Sequence, residues 1–139
     1  MAETDPFADI VARHKGREGP LLPILHDVQA AFGHVSEDAI RAIAAGLNLT
    51  RAEVFGVVSF YHDFKAEADP RPLVKLCRAE ACQARGVEAL VAGMMAQDRV
   101  KVEPVYCLGL CSVGPAAMVG GDVIARLDAA KLAALVAAA

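Results

Sequence analysis

The sequence predicts an α+β protein: a small N-terminal helical bundle followed by a compact α/β domain. Three observations predict it. Up to about Phe64, apolar residues recur at helical spacing between capping residues. The stretch Lys65-Ala66-Glu67-Ala68-Asp69-Pro70 is polar and ends in proline, a composition break that divides the chain into domains 1–66 and 71–139. Beyond it the apolar period shortens to that of strands. The chain has 139 residues and is 55% hydrophobic, which suits one domain or two small ones with real cores and speaks against disorder.

Asp5-Pro6 reads as an N-cap with proline at the first helical position, and Phe7, Ile10, Val11 and His14 share a face that ends at Gly16. Gly19-Pro20 opens a second helix with Leu21, Leu25, Val28 and Phe32 as its stripe; Pro23 still lies in the first turn, and Gly33 stops the helix. Ser36 caps a third, with Ile40, Ile43 and Leu47 inward. Thr50-Arg51-Ala52-Glu53 is a capping box for a fourth, which carries Val54, Val57, Val58 and Tyr61. Short links between the four suggest a bundle. After the boundary, Pro72 to Leu76 reads as a strand running into Cys77. Val87, Leu90, Val91 and Met94 mark a helix, and Val100-Lys101-Val102 alternates like a strand. Ala116 to Val119 and Val123 to Ala125 flank Gly120-Gly121 as a hairpin, and Asp128 caps a last helix with Leu132 and Leu135 inward. The order β-α-β-β-β-α, or one strand fewer, resembles a compact thioredoxin-like layer.

Several function classes are excluded at this level. Net charge is −3, no basic block stands out, and there is no Trp, so nucleic acid is a poor partner. The acidic start Met1-Ala2-Glu3-Thr4-Asp5 has no apolar core of a signal peptide, and no apolar run is long enough to cross a bilayer. A cytoplasmic protein is expected, and in that compartment structural disulfides are disfavoured.

The four cysteines then carry the chemistry. Cys77 and Cys82 are spaced C-x4-C; Cys107 and Cys111 are spaced C-x3-C. Two close thiol pairs from separate segments form the ligand set of an iron–sulfur cluster or a structural zinc. Neither pair is the C-x2-C of a zinc knuckle or a dithiol oxidoreductase, which tilts the choice toward a [2Fe–2S] cluster and leaves a zinc-stapled, non-redox module as the alternative. Cys77 is expected at a strand end and Cys82 near a helix start whose dipole would favour anionic sulfur. Gly109 and Gly114 are expected to supply positive φ and close backbone approach.

The sequence also resembles a known family. Leu22-Pro23-Ile24-Leu25, Val28-Gln29, Phe32-Gly33 and Val54-Phe55-Gly56-Val57-Val58-Ser59-Phe60-Tyr61 are similar to the N-terminal helices of the thioredoxin-like [2Fe–2S] subunits of NADH-linked complexes. The two cysteine spacings, Cys107-Leu108-Gly109-Leu110-Cys111 and Gly114-Pro115 match the same family, so the resemblance runs from about residue 18 to the end. It includes the small flavin-side subunit of respiratory complex I, a subunit of NAD-reducing hydrogenases, and the gamma subunit of NAD-dependent molybdenum formate dehydrogenases. Arg78-Ala79-Glu80-Ala81 in the first loop, Leu110 within the second pair and Ser112-Val113 after it look more like the formate dehydrogenase gamma subunit. The resemblance implies a thioredoxin-like [2Fe–2S] ferredoxin domain, with Cys77, Cys82, Cys107 and Cys111 as cluster ligands. It implies a non-catalytic electron carrier that exchanges electrons with FMN of an NAD-binding flavoprotein subunit and, through it, with a molybdenum-containing catalytic subunit. The helical half would be the docking domain. No G-x-G-x-x-G is present, so NAD binding falls to a partner.

Other residues have plainer readings. His14, His26, His34 and His62 lack metal-ligand spacing and read as surface or cap residues. Met94-Met95 reads as core filling. Arg78, Glu80 and Arg85 near the first pair are either solvated loop charges or electrostatic tuners, with Arg78 the sharper candidate. Phe55, Phe60, Tyr61 and Phe64 are expected to pack on the second domain or to anchor an interface.

Overall fold

The computed structural model describes residues 5–139; the acidic stretch Met1 to Thr4 lies outside the described residues. The chain forms two compact units, one ending at Asp69 and the other beginning at Pro70.

The first unit holds α1 (Ala8–His14), α2 (Leu21–Phe32), α3 (Glu37–Leu47) and α4 (Arg51–Phe60). Asp5 does not cap α1 directly. Its carboxylate accepts the Phe7 N–H at 2.9 Å in a turn before the helix, and Phe7 holds the N-cap position. The other caps form as the residues dictate. Ser36 Oγ accepts the Ala39 N–H at 3.1 Å, Thr50 and Glu53 close a reciprocal capping box, and Gly33 ends α2 at φ +77°. The stripe of α2 is broader than its 4-3-4 spacing suggests: Ile24, Leu25 and Val28 are fully buried, whereas Phe32 is half-exposed and meets the Phe7 ring edge-on. Ile40, Ile43, Val54, Val58 and Phe64 complete one continuous core. Phe64 is therefore packed inside the helical unit itself, against His26 and Tyr61, while Phe55, Phe60 and Tyr61 are exposed.

The second unit is a four-stranded sheet in the order β2-β1-β3-β4, built from β1 (Leu73–Cys77), β2 (Lys101–Val105), β3 (Ala117–Val119) and β4 (Asp122–Ile124). β1 and β2 are parallel, so the chain must cross over between them. It does so through two helices where the sequence suggests one: α5 (Glu80–Ala84) and α6 (Val87–Met94), parted at Gly86 with φ +88°. β3 pairs antiparallel with β1 and turns through Gly120 and Gly121, both at positive φ, into β4. Asp128 caps α7 (Ala129–Ala138) by accepting the Lys131 N–H at 2.8 Å.

Period-two alternation sorts the sheet faces. Val74 and Leu76 of β1 lie beside Val119 and Ala117 of β3, and all four pack with Met94 of α6 and Leu132 of α7. The neighbouring Met95 is largely exposed, so only one of the two methionines fills the core. Both long helices thus cover one sheet face, and the carboxyl ends of β1 and β2 are left to the connecting loops. Among the described residues, no helix is long and apolar enough to cross a membrane.

Candidate metal centre

All four cysteines lie in the segments that leave the carboxyl ends of the parallel strands. Cys77 is the last residue of β1 and pairs in register with Val105, the last of β2; Cys107 follows two residues later. Open α/β sheets place their ligand sites at this edge, where loops diverge from neighbouring strands. The first loop is tied on both sides: the Cys77 N–H donates to the Ala116 carbonyl at 2.9 Å, and the Arg78 N–H to the Val105 carbonyl at 2.8 Å.

The four thiols are free and divide by environment. Cys77 and Cys82 are each 2% exposed and form a small apolar cluster with Val87 and Ala116. Cys107 and Cys111 are exposed. Within each pair the sulfurs meet. Cys107 Sγ and Cys111 Sγ are 3.6 Å apart, and the Cys77 and Cys82 thiols are hydrogen-bonded. The two pairs also sense each other, since Cys111 acts electrostatically on Cys82 and is itself acted on by Cys77. Among the described residues, no three His, Cys, Asp or Glu side chains converge as the ligand set of one metal ion. Two adjoining thiol pairs supply the four thiolates that either two irons, two to each, or one tetrahedral zinc would take.

Backbone donors are aimed at the sulfurs. Burial pushes the Cys77 thiol up, but the N–H groups of Ala79 and Cys107, the Cys82 thiol and the Leu108 N–H outweigh it, so Cys77 lies below the ordinary thiol range. The same N–H groups would stabilise a metal-bound thiolate. Burial and the neighbouring Cys77 raise Cys82, with the Ala116 N–H opposing. Hydrogen bonding to Cys107 raises Cys111. The Gly109 N–H lies 3.4 Å from Cys107 Sγ. Cys107 has φ +89°, a sparsely populated conformation for a residue with a side chain, and such strain gathers at functional sites.

The two glycines serve in different ways. Gly109 has φ +76°, as expected for the tight turn between the exposed thiols. Gly114 does not: its φ is −67°. Its role is space, because a Cβ there would stand 2.9 Å from Cys82 Sγ. The helix-dipole expectation for Cys82 also changes. Cys82 is the third residue of the five-residue α5, and the donors that reach the sulfurs come from loop backbone instead.

Arg78 is not a bare charge. Its Nε and Nη2 donate to Glu88 Oε1 and Oε2 at 2.9 and 2.6 Å. Nothing in the sequence marks Glu88, ten residues on, as its partner. Loop N–H groups facing the sulfurs are expected of such a site, but that Ala79, Leu108 and Ala116 supply them has no residue-type signature. The histidines all belong to the helical unit. There His14 bonds Asp27 at 2.7 Å and His34 bonds the Phe32 carbonyl at 3.0 Å.

The donor set and the aimed N–H groups fit a [2Fe–2S] cluster, and the missing side chain at Gly114 leaves room for the Cys82 sulfur. Comparison with known proteins bears on the same question. The family model described as thioredoxin-like [2Fe-2S] ferredoxin matches residues 7–139. One of the NADH-quinone oxidoreductase subunits of Aquifex aeolicus is 31% identical over 119 residues, 78% of this chain and 74% of that protein. The HndA subunit of the NADP-reducing hydrogenase of Solidesulfovibrio fructosivorans is 26% identical over 132 residues, 87% of this chain and 77% of that protein. Among solved structures, the NAD+-reducing [NiFe]-hydrogenase in its H2-reduced state contains a chain that superposes with a TM-score of 0.68 at 26% identity. The match covers 81% of this chain but 21% of the hydrogenase chain.

Proposed function

The chain belongs to the thioredoxin-like [2Fe-2S] ferredoxin family, and on that premise we propose that it is an electron-transfer subunit of an NADH-linked oxidoreductase complex. Cys77, Cys82, Cys107 and Cys111 hold the cluster, and the unit from 71 to 139 is the cluster domain. The observation that carries this reading is the meeting of two thiol pairs at one sheet edge, with backbone N–H groups directed at the sulfurs.

When bound, the cluster supplies single-electron exchange. The chain's own residues do the rest. The Ala79, Cys107 and Leu108 N–H groups stabilise anionic sulfur at Cys77. The buried pair shields one side from water, and the exposed pair presents the other side to a redox partner. The partner in this reading is an FMN- and NAD-binding flavoprotein subunit, and the helical domain 1–66 is the surface that docks to it.

The relatives favour a particular setting. Their names place them in an NADH-quinone oxidoreductase and in hydrogenases. They support a complex I or hydrogenase setting for this chain more than the formate dehydrogenase setting. The latter rests on the wording of Arg78-Ala79-Glu80-Ala81, Leu110 and Ser112-Val113. It would add a molybdenum-containing subunit to the complex.

The test is iron and acid-labile sulfide analysis of the anaerobically purified chain, with low-temperature EPR after dithionite. Equal iron and sulfide with an S = 1/2 signal, lost in Cys→Ser variants at the four positions, is the expected result. Stoichiometric zinc without sulfide would leave a structural module. Co-purification of the natural complex and identification of its other subunits decides the setting.

A further inference from the structure

We propose that Arg85, rather than Arg78, is the residue whose positive charge sets the redox poise of the site; this rests on the four cysteines holding the cluster. Two arginines lie near the first cysteine pair, and the structure treats them differently. Arg78 is paired with both oxygens of Glu88, so the two groups together present no net charge. Arg85 is exposed and, among the described residues, has no carboxylate or hydrogen-bonding partner for its guanidinium.

Position favours Arg85 as well. Its N–H donates to the Cys82 carbonyl at 3.2 Å, and its stem runs along Gly114. A Cβ on Gly114 would stand 3.4 Å from Arg85 Cδ and 2.9 Å from Cys82 Sγ, so arginine and thiol border the same small space. Arg85 caps the carboxyl end of α5, and the approach of its stem to Gly114 places it on the side where Cys82 Sγ lies. Of the other charges on neighbouring elements, Glu88 is neutralised by Arg78, whereas Glu80 and Arg126 are exposed and keep their charges; for neither does the structure place the side chain against Gly114 and Cys82 as it does for Arg85.

A thiolate-ligated iron–sulfur group carries negative charge that grows on reduction. A net cation beside one of its sulfurs favours the reduced form, and a neutral ion pair does not. Because the Arg85 guanidinium faces water, its influence is screened by salt.

The experiment is an anaerobic redox titration of the full chain, followed by EPR and visible absorption, at low and high ionic strength. Iron and sulfide content is determined for every variant. Arg85→Met keeps the aliphatic stem against Gly114 and removes the charge; Arg85→Gln removes it with a polar group; Arg85→Lys retains it. The expected result is a midpoint potential lowered in both neutral variants, close to the parent in Arg85→Lys, with the difference shrinking as salt rises. The double variant Arg78→Gln/Glu88→Gln should titrate with the parent. Neutral Arg85 variants at the parent potential, or Arg85→Lys falling as far as they do, would overturn the proposal while the cluster assignment stands. A parent chain without iron and sulfide overturns both.

Discussion

Cys82 of α5 and Gly114 of the loop before β3 meet although distant in sequence: the sulfur occupies space that any side chain on Gly114 would enter, and a Cβ there would stand 2.9 Å from Sγ. The contact explains a glycine whose backbone needs no glycine, since its φ of −67° is open to any residue. Gly114→Ala should therefore displace the Cys82 thiol and lower the iron and sulfide bound per chain, with the helical unit unchanged by circular dichroism. Gly109→Ala should act differently. Open space surrounds it, and the cost is the left-handed backbone alone, about 1–2 kcal/mol. Equal cluster loading in Gly114→Ala and the parent would refute the contact's importance.

The two thiol pairs should react in order of access. Cys77 has the lowered pKa, which by itself would make it the better nucleophile, but it is buried; Cys107 and Cys111 are exposed. In the apo-protein, iodoacetamide labelling read by mass spectrometry should modify Cys107 and Cys111 first. Cys77 and Cys82 should follow only in denaturant. Early labelling of Cys77 would show that the pKa outweighs burial.

Glu37 links α3 to the start of α4. The hydrogen bond from Arg51 holds its carboxyl below the usual glutamate range, partial desolvation opposes this, and the hydrogen bond from Arg41 adds to it. A depressed folded-state pKa means that the unfolded chain binds the proton more readily. The stabilisation is thus fully present above the ordinary glutamate range and is lost as pH falls through the folded-state value. Glu37→Gln should lower the urea midpoint slightly at neutral pH, and the gap should close as pH falls below the ordinary glutamate range and through the depressed folded-state value. The margin is small because all three groups are exposed. A gap that persists in acid would point to lost packing.

Phe60 and Phe64 separate interface from core. Phe60 is 73% exposed, so Phe60→Ala should leave stability within about 0.5 kcal/mol. If the helical unit docks a partner through this aromatic edge, the same change should weaken assembly with the flavoprotein subunit in a pull-down or by analytical ultracentrifugation. Phe64 is buried in the helical core, and Phe64→Ala should cost about 3–5 kcal/mol by chemical denaturation. Unchanged assembly in Phe60→Ala would move the docking surface elsewhere.

Much of this protein was legible in its residues because the governing interactions are local. Caps such as Ser36 and the Thr50/Glu53 box satisfy helix-end groups three residues away, and the Gly120-Gly121 turn meets a φ requirement within the turn itself. The cysteine spacings likewise suggest a tetrathiolate ligand set from the residues alone. Tertiary structure alone decided what depends on through-space neighbours. It paired Arg78 with Glu88, set Arg85 beside Cys82, turned Gly114 from a conformational to a steric requirement, and buried one thiol pair while exposing the other. It also drew Phe64 into the helical core and left Phe60 outside. The physical reason is common to all of these. Helix period and cap chemistry are written along the chain, whereas burial and charge pairing arise only when strands β1 and β2 bring distant loops to one edge.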